Sequence, residues 1–418
     1  MEITKKISLK AHSWLQAPPL VKLLNILNKE GINARMVGGC VRDMLLGCKI
    51  IDIDIACSLP PEESQKRLEN AGVKVVPTGL KHGTITAVIN KRSFEITTLR
   101  RDEQTDGRHA KVAYTDDWLE DARRRDFTIN ALYLDADGGL YDPCGGLADI
   151  AARRVRFIGE ADERIQEDAL RILRFFRFSA QIGQNHMDPS GREACIKNRK
   201  LIEGLSGERL AQELLKILQT VNLLPIIKVM CEEGILEKII PNHESLGHEF
   251  LGHEFLQDLT GYVGLERSLG KSNILARLSC LLPKTSDGIT SIKSHLKLSN
   301  KQAKTLKNYT NHSLKISAAM TQKDIRRAIY HSDRDIFIVA LLQSWASNKL
   351  DKDHENYRKI LAYAENWPIA IFPVQGKNLM TSGLKSGPEI GRILHELEQE
   401  WVQSDFHLTR EELLARVI

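Results

Sequence analysis

Two aspartates separated by one residue, Asp52 and Asp54, have a spacing that could support chemistry. They lie in the run IIDIDIA, whose alternation of polar and apolar residues predicts a strand. The strand period of two places both carboxylates on one face and Ile51, Ile53 and Ile55 on the other, toward the core. Two adjacent carboxylates repel each other unless a cation lies between them, and oxygen ligands of this kind suit Mg²⁺. The alternative is an edge strand with a solvated acidic face.

Glu95 offers a third carboxylate. It lies in the alternating run SFEITTLR, which predicts that Phe94 and Ile96 face away from it. Three carboxylates on two neighbouring strands suit a two-metal site for nucleotidyl transfer. In such a site one metal would lower the pKa of an attacking 3′-hydroxyl, and the other would neutralise a pyrophosphate leaving group.

Glycine and arginine motifs near these carboxylates could bind phosphate. Gly38 and Gly39 end a predicted strand in a tight turn, where the backbone can approach a phosphate closely, and Arg42 follows in a short predicted helix. Arg125 precedes the β-like run of RRRDFTINAL and could bind triphosphate or sugar oxygens through its planar guanidinium. The alternatives are a structural turn and a solvated run of charge.

A basic stripe follows in EDALRILRFFRF. On a helix, residues three apart are neighbours, so Asp168 is predicted beside Arg171, with Arg174 and Arg177 continuing along the same side. Ordinary ion pairs between residues three apart, which only stiffen the helix, are the alternative.

The elements that must position these residues change character along the chain. Residues 34–150 contain short β-like runs broken by glycine and one helix-like stretch, PPEESQKRLENAG. From about residue 160 the apolar period becomes helical. Strands and helices mixed over the first of these segments indicate an α/β or α+β unit. We predict an α+β N-terminal unit, with a mixed sheet and helices, followed by an all-α remainder.

Five motifs, GGCVRD, DID, RRDFTINAL, DPCGGLAD and EDALRILRFFRF, occur in this order across about residues 20–220. Together they resemble the class II tRNA nucleotidyltransferase and bacterial poly(A) polymerase family. The segment FPVQGKNLMTSGLKSGPEIGRILHELEQEW is similar to the tail of the CCA-adding members. A His-Asp phosphohydrolase motif and the GRRF-type signature of dedicated poly(A) polymerases are both missing. The resemblance is therefore greatest to CCA-adding enzymes without an HD domain.

The resemblance implies four parts. They are a catalytic nucleotidyltransferase head at 1–150, a neck with a nucleotide-selecting helix at 151–222, an RNA-binding body at 223–345 and a tRNA-binding tail at 346–418.

The resemblance also implies roles for the candidate residues. Asp52 and Asp54 would be the Mg²⁺ ligands, and Glu95 the third catalytic carboxylate. The implied nucleotide contacts are Gly39 and Arg42 to the triphosphate, Arg125 to the nucleotide, Asp168 and Arg171 to the base, and Arg174 and Arg177 as further contacts.

The implied activity is template-independent addition of C, C and A to the 3′ end of tRNA from CTP and ATP, with release of pyrophosphate. A carboxylate beside a guanidinium complements the amino group and ring acceptor shared by cytosine and adenine, whereas guanine and uracil present a carbonyl there. The alternatives are an A-adding or poly(A) polymerase-type enzyme, a CC-adding enzyme, and an inactive RNA-binding relative. CC-adding enzymes of the family resemble the full type but have a shortened loop after the third carboxylate. The matching segment here, from Arg100 to Trp118, is not visibly shortened, so the resemblance favours complete CCA addition.

The composition is that of a globular protein, with 418 residues, 42% hydrophobic and 27% charged. No apolar run approaches the length of a membrane span. The seven cysteines form no C-x-x-C pair, which predicts reduced thiols and a cytoplasmic location. The net charge of +5 permits an RNA partner, and no protein partner is predicted. A row of lysines is a candidate RNA surface or a solvated face: Lys293, Lys297, Lys301, Lys304 and Lys307.

Overall fold

The computed structural model divides the chain into two compact units, Met1–Ile240 and Pro241–Ile418. The structure describes residues 1–31, 33–80, 83–102, 112–183, 187–240, 254–282, 286–347, 354–381, 384 and 387–417. A tandem LGHEF repeat at 246–255 lies almost entirely outside these residues, as does the middle of the segment from Arg100 to Trp118. The division into four parts stays a prediction.

The first unit is built on an eight-stranded mixed sheet in the order β1-β10-β9-β2-β3-β6-β5-β4. A separate two-stranded sheet pairs β7 with β8. The strands are β1 Lys5–Lys6, β2 Ala34–Val37, β3 Asp54–Cys57, β4 Lys74–Gly79, β5 Thr84–Ile89, β6 Arg92–Thr98, β7 Arg100–Asp102, β8 Val112–Tyr114, β9 Tyr133–Leu134 and β10 Gly139–Tyr141.

Helices precede and follow the strands of this sheet, and after β10 the described residues of the unit contain helices and no further strand. They are α1 Pro18–Leu27, α2 Gly39–Leu45, α3 Pro61–Asn70, α4 Trp118–Arg123, α5 Gly146–Ala151, α6 Ala161–Glu167, α7 Leu170–Ile182, α8 Pro189–Lys197, α9 Gly207–Gln219 and α10 Leu223–Glu232. The predicted helix PPEESQKRLENAG is α3, which begins at Pro61 and is followed by Gly72 with a φ of +73°. Buried aromatic residues of α7, including Phe175 and Phe176, anchor that helix in the unit's core.

Helices are the regular secondary structure of the second unit in its described residues. Its helices are α11 Glu254–Leu269, α12 Ile274–Ser279, α13 Ser286–His295, α14 Asn300–Thr310, α15 Gln322–Ser332, α16 Arg334–Ser347, α17 His354–Asn366, α18 Gly376–Thr381, α19 Pro388–Gln403 and α20 Arg410–Leu414. Capping boxes begin α14, α15 and α20, at Ser299, Thr321 and Thr409. None of the described helices combines the length and apolarity needed to cross a membrane. The predicted α+β unit followed by helices is confirmed.

The run IIDIDIA differs from its prediction at its start. The strand begins at Asp54, so Asp52 lies in the segment that leads into β3. Ile53 and Ile55 are buried as predicted, but Ile51 is 78% exposed, and its predicted inward orientation is wrong. The strand period does not extend back to Ile51, because the residues before Asp54 pair with no neighbouring strand.

Candidate active site

The sheet brings two of the three predicted carboxylates into register. Strands β3 and β6 are parallel neighbours, and Asp54 is the direct partner of Glu95. Phe94 and Ile96 are buried on the other face, as the alternation predicts, so Glu95 is on the solvent-facing side. Asp52, also exposed, precedes Asp54 by two residues. The three carboxylates therefore lie at one edge of the central strands.

The charge around Asp54 shows which predicted residues are close to it. Although much of Asp54 is accessible to solvent, the surrounding protein displaces water from the carboxylate, and this desolvation raises its pKa. Repulsion from Glu95, and more weakly from Asp52, also raises the pKa, whereas Arg125 and Arg42 lower it. Three carboxylates and two guanidiniums thus share one electrostatic environment.

These carboxylates fit a hard divalent cation in charge and in donor type. Within the described ranges, no three His, Cys, Asp or Glu side chains are grouped closely enough to form a complete metal site. Even so, the repulsion that raises the pKa of Asp54 is the repulsion that a divalent cation would relieve. The donors are all carboxylate oxygens, which such cations prefer.

The glycine turn lies directly against the two arginines. Gly38 has a φ of +70°, a conformation that favours glycine, and its missing Cβ would lie 3.6 Å from Nη1 of Arg125. The missing Cβ of Gly39 would lie 3.8 Å from Nη2 of Arg42. Because neither glycine has a Cβ, the two guanidiniums lie close to the backbone of the turn, which is an arrangement that can accept an anionic group.

Arg125 is oriented by a buried carboxylate that the sequence did not indicate. Asp121 on α4 accepts hydrogen bonds from Nη2 of Arg125 at 2.9 Å, from Nε of Arg124 at 2.9 Å and from the Tyr133 hydroxyl at 2.8 Å. Burial alone would raise the pKa of Asp121, but Arg125 and then Arg124 outweigh it and lower the pKa to about 2. Asp121 is thus an ionised anchor for two adjacent arginines.

Arg42 and Arg174 are connected through two further residues that the sequence did not single out. Nη1 of Arg42 donates to the side-chain oxygen of Asn130 at 2.7 Å. The amide nitrogen of Asn130 donates to Asp126 at 3.0 Å, and Nε of Arg174 donates to the other oxygen of Asp126 at 2.6 Å. Asp126 and Asn130 belong to RRDFTINAL, so the motif itself was the available signal.

Phe178 brings three of the predicted arginines together. The guanidinium carbons of Arg177, Arg42 and Arg174 lie 4.1, 4.9 and 5.4 Å from the centre of its ring. Phe178 is only 3% exposed. Arg177 also forms an ion pair of 2.6 Å with Glu213 on α9, and burial lowers its pKa. The sequence offered a weak signal, because Phe178 follows Arg174 by one helical turn.

The structure does not place Asp168 and Arg171 side by side on one helix. Helix α6 ends at Glu167, Asp168 is extended with φ −154° and ψ 102°, and α7 begins at Leu170. The carboxylate of Asp168 accepts two hydrogen bonds, one from the backbone N–H of Leu170 at 3.1 Å and one from the guanidinium of Arg209 at 2.8 Å. A short acidic side chain commonly ends one helical segment and begins the next in this way.

Arg171 has different partners. It forms an ion pair of 2.5 Å with Glu167 and donates to the carbonyl oxygen of Arg164 at 2.6 Å. The predicted pairing of Asp168 with Arg171 on a continuous helix is therefore wrong, although only two residues separate them and both belong to the junction between α6 and α7. Their proposed contact with a base stays a prediction.

Comparison with known proteins matches three ranges of this chain to family models of polymerase A and tRNA nucleotidyltransferase. Residues 34–156 match the family model "Poly A polymerase head domain", 186–246 match "Probable RNA and SrmB-binding site of polymerase A", and 270–417 match tRNA nucleotidyltransferase domain 2.

Individual relatives agree with these models. The chain is 35% identical over 424 residues to the human "CCA tRNA nucleotidyltransferase 1, mitochondrial", covering 99% of this chain and 93% of the human protein. It is 43% identical over 208 residues to the "CCA-adding enzyme" of Oceanobacillus iheyensis, covering 49% of this chain and 50% of that protein. The crystal structure of the Bacillus stearothermophilus CCA-adding enzyme in complex with CTP superposes with a TM-score of 0.72 at 25% identity, covering 95% of this chain and 96% of that one.

Proposed function

The chain belongs to the CCA tRNA nucleotidyltransferase family, and on that premise we propose how its own residues add C, C and A to the 3′ end of tRNA from CTP and ATP. One observation carries the assignment of the catalytic centre. Asp54 and Glu95 are in direct register on parallel strands, and Arg42 and Arg125 are close enough to affect the pKa of Asp54. The two carboxylates can bind a cation, and the two guanidiniums can bind the triphosphate that accompanies it.

The carboxylates are proposed to perform the metal-dependent part of the reaction. Asp52 and Asp54 would hold Mg²⁺, with Glu95 as the third carboxylate of the centre. When bound, the metal supplies charge that favours ionisation of the 3′-hydroxyl and departure of pyrophosphate. The protein's contribution is to hold Asp54 and Glu95 on adjacent strands before substrate arrives, with Asp52 in the segment that leads into β3.

The triphosphate is proposed to bind at the turn of Gly38 and Gly39. Arg42 and Arg125 lie beside this turn and supply fixed positive charge. Asp121 restrains Arg125, and Asn130 restrains Arg42, so neither side chain has to be ordered fully when the nucleotide binds. Less ordering means less entropy lost on binding.

Base choice is assigned to Asp168 and Arg171, with Arg174 and Arg177 as further nucleotide contacts. A carboxylate accepts a hydrogen bond from the amino group of cytosine or adenine, and a guanidinium donates a hydrogen bond to the neighbouring ring nitrogen. Both residues already have protein partners, Arg209 and Glu167, which would fix their directions or would be exchanged for the base. The role in selection stays a prediction that mutation can test.

The activity itself is tested with tRNA transcripts that end at the discriminator base, at C or at CC. Complete CCA addition predicts that the purified protein extends all three transcripts to the same mature end. An A-adding enzyme would extend only the last, and a CC-adding enzyme would stop before A. A protein that binds these transcripts but extends none would be an inactive relative.

Base selection is tested with Arg171→Ala and Asp168→Asn. The first should lower the preference for CTP and ATP over UTP and GTP by about ten-fold, the value of one base contact. The second should relax selection against UTP in particular, because an amide can donate to the uracil carbonyl. Measurement of kcat/KM for all four nucleotides decides the matter, and unchanged preference in both variants would remove Asp168 and Arg171 from the assignment.

A lysine surface on the second unit is proposed to bind RNA phosphates. We call Lys301, Lys304 and Lys307 the lysine stripe, because all three are exposed on α14 at intervals of one helical turn. The surrounding segment 288–323 contains no Asp or Glu and has seven lysines. A row of exposed lysines of this kind binds the phosphate backbone without regard to sequence, as an enzyme acting on all tRNAs requires.

A reducing compartment, and specifically the cytoplasm, is the proposed location. All seven cysteines are free thiols, and burial raises the pKa of several of them, including Cys57 and Cys195. The human relative carries the name mitochondrial. Cell fractionation with an antibody to the native chain would distinguish the two locations.

A further inference from the structure

We propose that Arg164, which no motif of the sequence singles out, is a positioning residue that couples base selection to the arginine proposed to bind the nucleotide. Arg164 lies in the middle of α6 and is 8% exposed, so its guanidinium is directed into the protein. It contacts both the end of α4 and the junction that carries Arg171. The inference rests on the proposed role of Arg171 and Arg125.

One side of the Arg164 guanidinium closes the C-terminal end of α4. Nη2 donates to the backbone carbonyl oxygen of Arg124, and also to that of Arg125 at 3.0 Å. Carbonyls at a helix end have no partner within the helix, and a cation that binds them is stabilised by the helix dipole as well. Arg164 thereby fixes the backbone from which the side chain of Arg125 emerges.

The other side of the guanidinium reaches the base-selecting junction. Nη1 of Arg164 pairs with Oε2 of Glu167, and the same oxygen forms the 2.5 Å ion pair with Arg171. Nη1 of Arg171 also donates to the backbone carbonyl of Arg164 at 2.6 Å, and its Nη2 lies 3.4 Å from the carbonyl oxygen of Arg124. Glu167 is therefore shared by two guanidiniums, and each fixes the position of the other.

These contacts couple the position of Arg171 to that of Arg125. A movement of Arg171 to meet a base disturbs Glu167, then Arg164, and then the backbone at Arg124 and Arg125. The direction of Arg125 and the direction of Arg171 are thus set together, so the nucleotide is selected and oriented as one unit. Lysine cannot replace Arg164 in this role, because one ammonium lacks the planar fork that serves two carbonyls and a carboxylate at once.

The test uses Arg164→Lys, Arg171→Ala and the double variant. For each, kcat and KM are measured for CTP and UTP on a tRNA ending at the discriminator base, and for ATP and GTP on a tRNA ending at CC. We expect Arg164→Lys to lower the preference for CTP over UTP by about five-fold, the lower end for one base contact. The KM for CTP and ATP should rise more than kcat falls, because the carboxylates lie on other elements. The KM for tRNA should not change. The double variant should be no less selective than Arg171→Ala alone, because Arg164 acts through Arg171.

Two companion variants distinguish positioning from general stability. Glu167→Gln keeps the shape of the shared side chain and removes its charge, so it should lower selectivity in the same direction if Arg164→Lys folds poorly. Arg277→Lys is the matched control, because Arg277 is equally buried and is paired with Glu266 in the second unit. It should lower the melting temperature and leave nucleotide preference unchanged.

Each contrary result has a distinct meaning. If Arg171→Ala lowers selectivity but Arg164→Lys and Glu167→Gln leave it intact, Arg164 is only structural and the inference is overturned while the base-selecting assignment survives. Additive losses in the double variant would show that Arg164 acts independently of Arg171, which also overturns it. Unchanged selectivity in Arg171→Ala would remove the base-selecting assignment and this inference with it.

Discussion

Replacement of Asp121 by asparagine should weaken the end of α4 and the nucleotide affinity together. Asp121 is 1% exposed and is surrounded by donors: Arg124 at 2.7 Å, Arg125 at 2.9 Å and the Tyr133 hydroxyl at 2.8 Å. Asp121→Asn keeps the size of the side chain and removes its charge. Two largely buried guanidiniums are then left without their counter-ion.

The expected loss can be worked out in two ways. The pKa of Asp121 is lowered to about 2 in the folded protein. An unfolded aspartate titrates near 3.9, and one pKa unit corresponds to about 1.4 kcal/mol, so ionised Asp121 contributes about 2.5 kcal/mol. Removing one partner of a buried ion pair costs about 3–5 kcal/mol. We therefore expect a local destabilisation of about 3 kcal/mol at neutral pH.

The pH dependence follows from the direction of the shift. Because the folded pKa lies below the unfolded pKa, the stabilisation is complete above about pH 5, declines as pH falls below about 4, and is lost below about pH 2. The difference in local stability between the native protein and Asp121→Asn should therefore shrink to about half of its neutral-pH value at pH 3. At pH 7 it should be at its maximum.

The assay must report on α4 alone, because a chain of two units does not unfold in one step. Amide hydrogen exchange over residues 118–125 measures the local opening free energy directly. The KM for CTP and ATP, measured in parallel, should rise in Asp121→Asn because Arg125 loses its orientation. Denaturant titrations at pH 7 and pH 3, read from the same amides, give the pH dependence.

Asp149→Asn is the matched control. Asp149 is also fully buried, and it also binds the guanidiniums of two arginines and one hydroxyl. These belong to Arg154, Arg156 and Thr128. It should destabilise its own region without raising the KM for nucleotide. The reasoning is refuted if the opening free energy of α4 in Asp121→Asn lies within about 0.5 kcal/mol of that in the native protein, which is the effect of an ordinary surface substitution. It is also refuted if both variants raise the KM for nucleotide equally.

Three shorter predictions concern catalysis, the segment after β7 and RNA binding. Asp52→Ala and Asp54→Ala should each abolish incorporation of C and of A while tRNA binding in a filter assay stays nearly unchanged; substantial residual activity would contradict the carboxylate assignment. Deletion of several residues near Gly107, outside the described residues, should spare CC addition and impair the final A, whereas equal loss of both steps would refute that role. Replacing the three lysines of the lysine stripe by glutamine should reduce the slope of log K for tRNA binding against log salt concentration by about 2–3. Each phosphate contact contributes about 0.7–0.9 to that slope. Its control neutralises three exposed lysines of the first unit, Lys22, Lys29 and Lys74.

Local pattern in the sequence determined the individual elements. The alternation of SFEITTL predicts β6 with Phe94 and Ile96 buried, and the structure has both. The glycine pair predicts a tight turn, and Gly38 has a positive φ. These features depend on residues within one strand or one turn, where the periods of 2 and 3.6 fix which side chains share a face. The motifs in their order also identified the family, which the relatives confirm.

Only the tertiary structure decided which of these residues meet. Asp54 and Glu95 come into register because β3 and β6 are parallel neighbours, although β4 and β5 separate them in the chain. Helical spacing placed Asp168 beside Arg171, but Arg209, which lies 41 residues further along the chain, binds Asp168 where α6 ends. No local period contains that contact. A carboxylate binds the guanidinium that the packing of α7 and α9 brings to it, and that packing is set by apolar burial along both helices.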